Sequence, residues 1–384
     1  MHRNIKLLAV FNFLTDFILF APVAIIYFAQ VSGSYALGMS VFSITFLSSS
    51  LFEIPTGIFS DFIGRKKTVI LGSIAYLVGF ILYAWGGSLG ILVLGAIFEG
   101  LARSFYSGNN DALLYDTLTE TNQIKKYHEY LGKVNSMYQI ALAVSALLGG
   151  FIAGWSLSLV MWLSVVPKLG MVLVSLLLTE PHIHTHKSGN IYAHLKEAIS
   201  QFKTNRKLRY LSVARIIKFA FGESAYLFRT AFIQSVWPIW ALGIANTLNN
   251  ICAAFSFYFS GRILNRLTAK TALTIEIIYN RIANLVALLF PTVASPLLMA
   301  STSLTFGIGE VANNSLTQKE FTSAQRATMG SLGSLMSHLV FAVVSFCVGL
   351  VGDHFGPQTA LVVVNILLLA PLWFYRKIFA HEKS

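Results

Sequence analysis

The stretch EIPTGIFSDFIGRKKT, Glu53–Thr68, decides how the rest of the chain is read. An apolar helical pattern carries Glu53, Gly57 and Asp61 at positions i, i+4 and i+8, so that they share one face. It then breaks at Gly64 into Arg65, Lys66 and Lys67. A long apolar helix that ends in a basic cluster is the pattern of a membrane span meeting a cytoplasmic surface.

Composition agrees. The 384-residue chain is 55% hydrophobic and 11% charged, less than half of the roughly 25% charged fraction usual in a soluble domain. Long apolar runs recur at 7–29, 36–59, 68–86, 89–113, 131–153, 156–178, 209–233, 240–261, 271–290, 295–317, 327–350 and 358–375. Each is near the roughly 20 residues that cross about 30 Å of hydrocarbon as a helix. The runs are long and do not alternate between lipid-facing and lumen-facing residues, so the fold class is all-α and polytopic and not a β-barrel.

The odd-numbered connections QVSGSYA, WGGSLG, GWSLS, IQSVWPIWA and FPTVASP carry no Lys or Arg, whereas GRKK, TETNQIKKYHEY, the 180–209 segment, GRILNRLTAK and TQKEFTSAQR are basic. The basic connections and both termini are therefore expected in the cytoplasm, and the 351–357 turn falls on the outer side. The net charge of +12 follows from this topology. A nucleic-acid partner, which requires a basic face outside the membrane, is not expected. MHRNIK leads directly into a full-length span without a small-residue cleavage site, so the first span reads as permanent. Cys252 and Cys347 lie inside spans and imply no disulfide framework.

The longest polar segment divides the chain into 1–179, a linker at 180–208 and 209–384, with a short amphipathic surface helix expected over 191–202. Laying LGKVNSMYQIALAVSALLGGFIAG over MGSLGSLMSHLVFAVVSFCVGLVG at an offset of 198 pairs Gly132 with Gly330, Ser136 with Ser334 and Gly154 with Gly352. Parallel repeats are one known construction of transporters, with the site near the midplane between them.

At the second-to-third connection, GIFSDFIGRKK resembles the cytoplasmic signature of the major facilitator superfamily: a glycine, an aspartate four residues later, then Gly-Arg-Lys. EIPTG and SGNNDALLYDTL are similar to a bacterial subgroup of that superfamily. In the second half, FYFSGRILNRLTAK keeps Arg262 and Arg266 but has no acid matching Asp61, and SALLGGFIAG lacks the proline of the antiporter signature. The resemblance implies twelve helices in two six-helix bundles that rock about a central cavity, in a monomer of the bacterial inner membrane. It further implies a cytoplasmic latch of Gly57, Asp61, Gly64, Arg65 and Asp116, with Asp61 set near Met329 and Gly330, where backbone N–H groups favour an anion.

Acids at membrane depth are functional candidates. Asp16, Glu99, Glu223 and Glu310 fall on spans one, four, seven and ten, which line the cavity in this family, and Asp16 with Glu223 is the favoured coupling pair. Glu53 lies about 12 Å deeper than Asp61 at 1.5 Å per residue, and a carboxyl there either stays protonated or finds a partner. His338 is a further proton-relay candidate. Arg103 stands one turn after Glu99, at ion-pair spacing. Arg215 and Lys218 either snorkel to the surface or face inward, where with Tyr226 and Arg229 they suit an anionic or zwitterionic ligand. Asn12, Phe105, Tyr106, Asn246, Asn249, Asn250, Asn313 and Asn314 complete the cavity candidates, with interhelical packing as the alternative role for the amides.

HIHTH at 182–186 has no fixed ligand geometry, and no metal is expected. GRKKT lacks the spacing of a nucleotide-binding loop, so no cofactor is expected and a proton gradient is the energy source. The leading expectation is proton-coupled export of small amphipathic or drug-like molecules. The alternatives are import of an organic anion or zwitterion, and a non-transporting receptor on the same fold. No nucleophile-base pair points to an enzyme.

Overall fold

The structure, a computed structural model, describes residues 3–107, 109–181, 205–320 and 326–380. The side chains of Asp61, His128, Asn135, 326–328 and Ala380 lie outside that description. So do the HIHTH tract and the amphipathic helix expected over 191–202.

Among the described residues there are helices and no strands. In chain order they are α1 (Arg3–Asp16), α2 (Ala24–Ser32), α3 (Tyr35–Ile63), α4 (Arg65–Trp85), α5 (Leu89–Tyr106), α6 (Asn109–Glu120), α7 (Tyr127–Ala153) and α8 (Leu157–Leu177). The second half holds α9 (Arg206–Ile233), α10 (Leu242–Leu264), α11 (Ala269–Leu289), α12 (Ser295–Ser301), α13 (Ser303–Gln318), α14 (Arg326–Leu367) and α15 (Ala370–Ala380). Side-chain caps set several starts: Ser88, Ser156, Asn205 and Thr268 each accept a hydrogen bond from the backbone N–H three residues on.

Eight segments are long and apolar enough to cross a membrane, and the last, Met329–Phe379, spans 51 residues. It contains the predicted spans eleven and twelve, which continue through a kink at Gly356 (φ 84°, ψ 157°) followed by Pro357 and not through a separate turn. Predicted spans seven, eight and ten form helices but fall short of that apolar criterion, for readable reasons. α9 carries Arg215, Lys218, Glu223 and Arg229, α10 carries Asn246, Asn249 and Asn250, and α12 and α13 are separated at Thr302. The first span is also discontinuous: α1 stops at Asp16, and α2 begins at Ala24 after a single 3-10 turn over Ala21–Val23.

The chain clusters into two compact units. The first comprises 1–33, 41–187 and 239–247; the second comprises 34–40, 188–238 and 248–384. In the first, α4 packs along α5 and α8, and α1 packs along α7 and α8. The α4–α5 seam closes on glycine: a Cβ at Gly79 would stand 2.9 Å from the Gly95 carbonyl oxygen, and one at Gly95 would stand 2.8 Å from the Tyr83 ring. Small residues at such seams let helices gain packing contact where lipid offers no hydrophobic driving force. In the second unit α9 packs along α14 and α15, and α11 packs along α13, around a core of Leu211, Ala214, Leu273, Ile277, Ala312 and Tyr375.

Where α7 passes the break in the first span, a Cβ on Gly149 would fall inside the van der Waals radius of the Leu19 carbonyl oxygen. Gly149→Ala is therefore expected to destabilise the purified protein, by about 1–3 kcal/mol as for other overpacked sites, against the roughly 1 kcal/mol gain of alanine over glycine in an open helix. Gly132 on the same helix has nothing within 4 Å of such a Cβ. Thermal melts in detergent should show a lower midpoint for Gly149→Ala and an unchanged or higher one for Gly132→Ala.

Candidate functional site

The signature stretch folds as its residue types require. α3 ends at Ile63, Gly64 takes φ 95° and ψ 161°, and α4 starts at Arg65. Only glycine holds that backbone without strain. Its bare Cα also makes room for Glu180: a Cβ at Gly64 would stand 2.8 Å from the Glu180 carboxylate. That carboxylate accepts from the backbone N–H groups of Arg65 (2.6 Å) and Lys66 (2.7 Å), so the first free amides of α4 are capped by an anion at the positive helix end. The Arg65 guanidinium donates to Ser60 Oγ at 3.0 Å and stands 3.8 Å from the Asp116 carboxylate. Ser60 in turn donates to Asn109 Oδ1 at 2.7 Å, and Asn109 Nδ2 donates to the Arg65 carbonyl at 3.2 Å. Arg65 and Asp116 are thus brought together, Gly57 has open space around it, and the side chain of Asp61 lies outside the described residues. Glu53 is half-buried and lies 3.5 Å from Ser107 Oγ.

Deeper in the same unit, Glu99 and Arg103 form the ion pair their spacing predicts, with Nη2 at 2.7 Å and Nε at 3.0 Å from Oε1. The other oxygen of Glu99 accepts from the Tyr83 hydroxyl at 2.8 Å and lies 3.5 Å from Thr45 Oγ1. Glu99 is 10% exposed and Arg103 is 43% exposed, so the carboxylate is packed among its donors and the guanidinium reaches open space. Asp16 ends α1 within electrostatic reach of Arg103 and of Lys168. Asn12 accepts from Asn110 Nδ2 at 3.4 Å. Phe105 packs on Phe59, while Tyr106 packs edge-on against Phe11 with its hydroxyl buried and unpaired.

The second unit gathers its own cluster. Lys218 does not snorkel: its ammonium lies 2.8 Å from Glu276 Oε1 and 3.1 Å from Glu310 Oε1. Glu276 reaches it across Gly309, where a side chain would overlap the carboxylate. Glu276 is 3% exposed and Glu310 is 39% exposed. One cation therefore stands between two carboxylates, of which only Glu310 borders open space. That space is a cavity of about 340 Å³ lined by Arg215, Phe257, Phe306, Glu310, Asn313 and Asn314, with Val311. Asn313 accepts from the Tyr375 hydroxyl at 3.3 Å. Arg215 makes no hydrogen bond or ion pair among the described residues.

Higher along α9, Arg229 donates to Asn249 Oδ1 at 2.6 Å and lies 4.2 Å from the centre of the Tyr226 ring. Asn249 also accepts from Ser303 Oγ. Glu223 is half-buried, Asn246 is buried, Asn250 is half-buried, and the His338 ring packs on Phe219. None of these lines the cavity at Glu310.

Several site residues escape a search for acids at membrane depth. Glu276 sits two turns into span nine, Glu180 stands at the mouth of the linker, and Lys168 is a lone cation in the apolar run WLSVVPKLGMV. The lysine had a signal, a charge in mid-span, whereas the partners of Glu276 and Glu180 come from helices distant in sequence.

The family model for the Major Facilitator Superfamily matches residues 7–345. The chain is 24% identical to Multidrug resistance protein 2 of Bacillus subtilis (strain 168) over 77% of its own length and 76% of the relative's. Among solved structures it resembles a bacterial homolog of the human lysosomal transporter Spinster, in an inward-facing and unoccupied conformation, with a TM-score of 0.79 at 15% identity over 98% of this chain and 95% of that one. It also resembles a mutant of the nucleoside transporter NupG, with a TM-score of 0.81 at 14% identity over 98% and 100% of the two chains. At such identities the structures speak for the fold alone.

The Lys218 cluster makes an energetic prediction. Removing the cation leaves the Glu276 carboxylate buried without its ion-pair partner, a class of change that costs about 3–5 kcal/mol. Lys218→Met should lower the melting midpoint strongly, and adding Glu276→Gln should restore most of the loss. A double variant no more stable than Lys218→Met would mean that the pair does not interact as its 2.8 Å separation requires.

Proposed function

Because the chain belongs to the major facilitator superfamily, matched over residues 7–345, we propose that this multi-pass membrane transporter is a proton-coupled exporter of small amphipathic molecules, working by alternating access. The observation that carries the reading is the sharing of Lys218 between Glu276 and Glu310, with Glu310 on the cavity wall. At ion-pair distance one ammonium serves two carboxylates, and Arg281 also lies within electrostatic reach of Glu276, so Glu310 is the less compensated of the two. A charge so placed is costly at membrane depth, and it is relieved either by a proton or by a cationic group from the cavity. Glu310 borders the cavity and Glu276 does not, so the exchange takes place at Glu310. A proton and a cationic amphipath then compete for the same carboxylate, which is the requirement for antiport. Phe257 and Phe306 supply apolar faces, and Asn313 and Asn314 supply hydrogen bonds, the mixed lining such molecules need.

The name of the Bacillus relative, a multidrug resistance protein, supports export of drug-like molecules. On this reading the protein is a monomer of a bacterial inner membrane with both termini in the cytoplasm. It uses the proton gradient and no bound cofactor. Asp16 and Glu99 serve as the acids of the other unit, Arg65 with Asp116 forms part of the cytoplasmic latch, and Glu223 and His338 stand in reserve on α9 and α14.

Arg215 favours a second reading. It lines the same cavity as Glu310 and makes no hydrogen bond or ion pair among the described residues. An unpaired guanidinium beside a carboxylate suits a zwitterion, taken up together with protons.

Glu310→Gln separates transport from coupling. In proteoliposomes with ethidium as probe, an imposed pH gradient should drive transport at least about tenfold more slowly in the variant, a factor worth about 1.4 kcal/mol, while slow equilibration without a gradient persists. Gradient-driven transport at the wild-type rate would sink the assignment of Glu310. A wild-type protein that ignores ethidium but takes up a zwitterionic amino acid together with protons would select the second reading.

A further inference from the structure

The discontinuity of the first span is held by α8. Lys168 is fully buried, and its ammonium donates to the carbonyl oxygens of Leu14 (2.9 Å) and Thr15 (2.5 Å), the last acceptors of α1 before Asp16. Its remaining contacts are the faces of two rings, Tyr76 at 4.5 Å and Phe80 at 4.7 Å. Among the described residues it has no carboxylate within ion-pair distance. One turn earlier on α8, Ser164 Oγ accepts from the backbone N–H of Phe20 at 3.2 Å, the residue where the chain turns toward α2. Lys168 and Ser164 therefore take opposite ends of the break at 17–20, while Gly149 of α7 presses on Leu19 from another side.

This placement is unusual in its chemistry. A helix that ends inside a membrane exposes carbonyls at its negative end, and in transporters built on broken helices such carbonyls coordinate a dissociable cation. Here the position is filled by a side chain. The charged and titratable groups that face it are Asp16 from α1, Tyr76 from α4, and Glu99 and Arg103 from α5, with Tyr138 of α7 facing Asp16. The ammonium thus belongs to the field of the Asp16–Glu99–Arg103 group without being ion-paired to any of them.

We propose that Lys168 is a positioning residue of the transport cycle: its ammonium is a resident cation that holds the broken first span in place through its charge, and with it the orientation of Asp16. The inference rests on the chain being a transporter and on neither the direction of transport nor the identity of the substrate. A charge that holds the break also provides a means of releasing it, because loss of the proton removes the charge and one of the three N–H donors, which weakens the hold on both carbonyls and lets residues 17–20 change the angle between α1 and α2.

Hydrogen exchange of the purified protein in nanodiscs tests this without a substrate and independently of Glu310. The readout is the protection of amides in 17–23, after division by the intrinsic chemical rate, from about pH 6 to about pH 11, a window that brackets ordinary and buried lysines. In the wild type this protection should be high at neutral pH and fall in the alkaline range, while amides in α4 and α5 remain protected. Lys168→Met should exchange in this segment about tenfold faster at neutral pH, with the alkaline fall gone. Lys168→Arg, which keeps the charge and does not lose it in this range, should retain the protection and also lose the fall. Wild-type protection that does not change with pH overturns the proposal, even if Lys168→Met yields no folded protein. So does a Lys168→Met chain protected like the wild type, or a Lys168→Arg chain that exchanges as fast as Lys168→Met, since shape and not charge would then hold the break.

Discussion

A charge within hydrocarbon has no water to answer it, and the protein must supply every compensating group from its own helices. The ammonium of Lys218, between Glu276 at 2.8 Å and Glu310 at 3.1 Å, is the buried charge that sets how three helices of the second unit meet. It draws together α9, α11 and α13, and it requires glycine at 309 so that the Glu276 carboxylate can cross the face of α13. Arg281 also lies within electrostatic reach of Glu276, so the less compensated carboxylate is Glu310, and it lies beside a cavity.

The same constraint explains how the signature stretch is built. Its letters announced a helix, a break and a basic helix start, and those were legible because each follows from local chemistry: the periodicity of the apolar face, the freedom of Gly64, and the cluster of Arg65, Lys66 and Lys67. The meeting of Arg65 with Asp116 was legible only as part of the latch that the resemblance implies, since Arg65 begins α4 and Asp116 lies in the C-terminal half of α6. The identity of the anion that caps α4 was not. Glu180 is more than a hundred residues away along the chain, and nothing in its neighbours marks it as the cap that accepts two backbone hydrogen bonds.

The breaks within spans were hidden for a related reason. Hydropathy counts residues and does not register where the backbone leaves the helix. The run from Leu7 to Ala29 reads as one span, and the single proline at 22 places the interruption only loosely. What allows residues 17–20 to leave the helix is the availability of substitutes for the lost backbone bonds: the Lys168 ammonium for two carbonyls and Ser164 for one N–H. These donors and acceptors belong to span six, so the shape of span one is encoded some 150 residues away from it. Conversely, the helices at predicted spans seven and eight were legible although their polar residues hold them below the apolar threshold that the other spans meet, because helical periodicity persists where mean hydropathy is diluted, whereas the break of span ten at Thr302 was not legible.

The two units answer buried cations in different currencies, and the difference has a mechanical consequence. Lys218 is neutralised by carboxylates on two other helices, so a proton arriving there alters the attraction between helices that are themselves continuous at that point. Lys168 is held by carbonyls and ring faces, groups that do not titrate near neutral pH. A proton change there alters the lysine and the field it shares with Asp16, Glu99 and Arg103, at a place where the backbone is already free of its helix. In the roles proposed above, protonation at the first changes the charge at a cavity wall, and at the second it changes the direction of a helix. A transporter requires both conversions, since occupancy of a site must be exchanged for movement of the elements that enclose it, and the two proposals place them on different lysines.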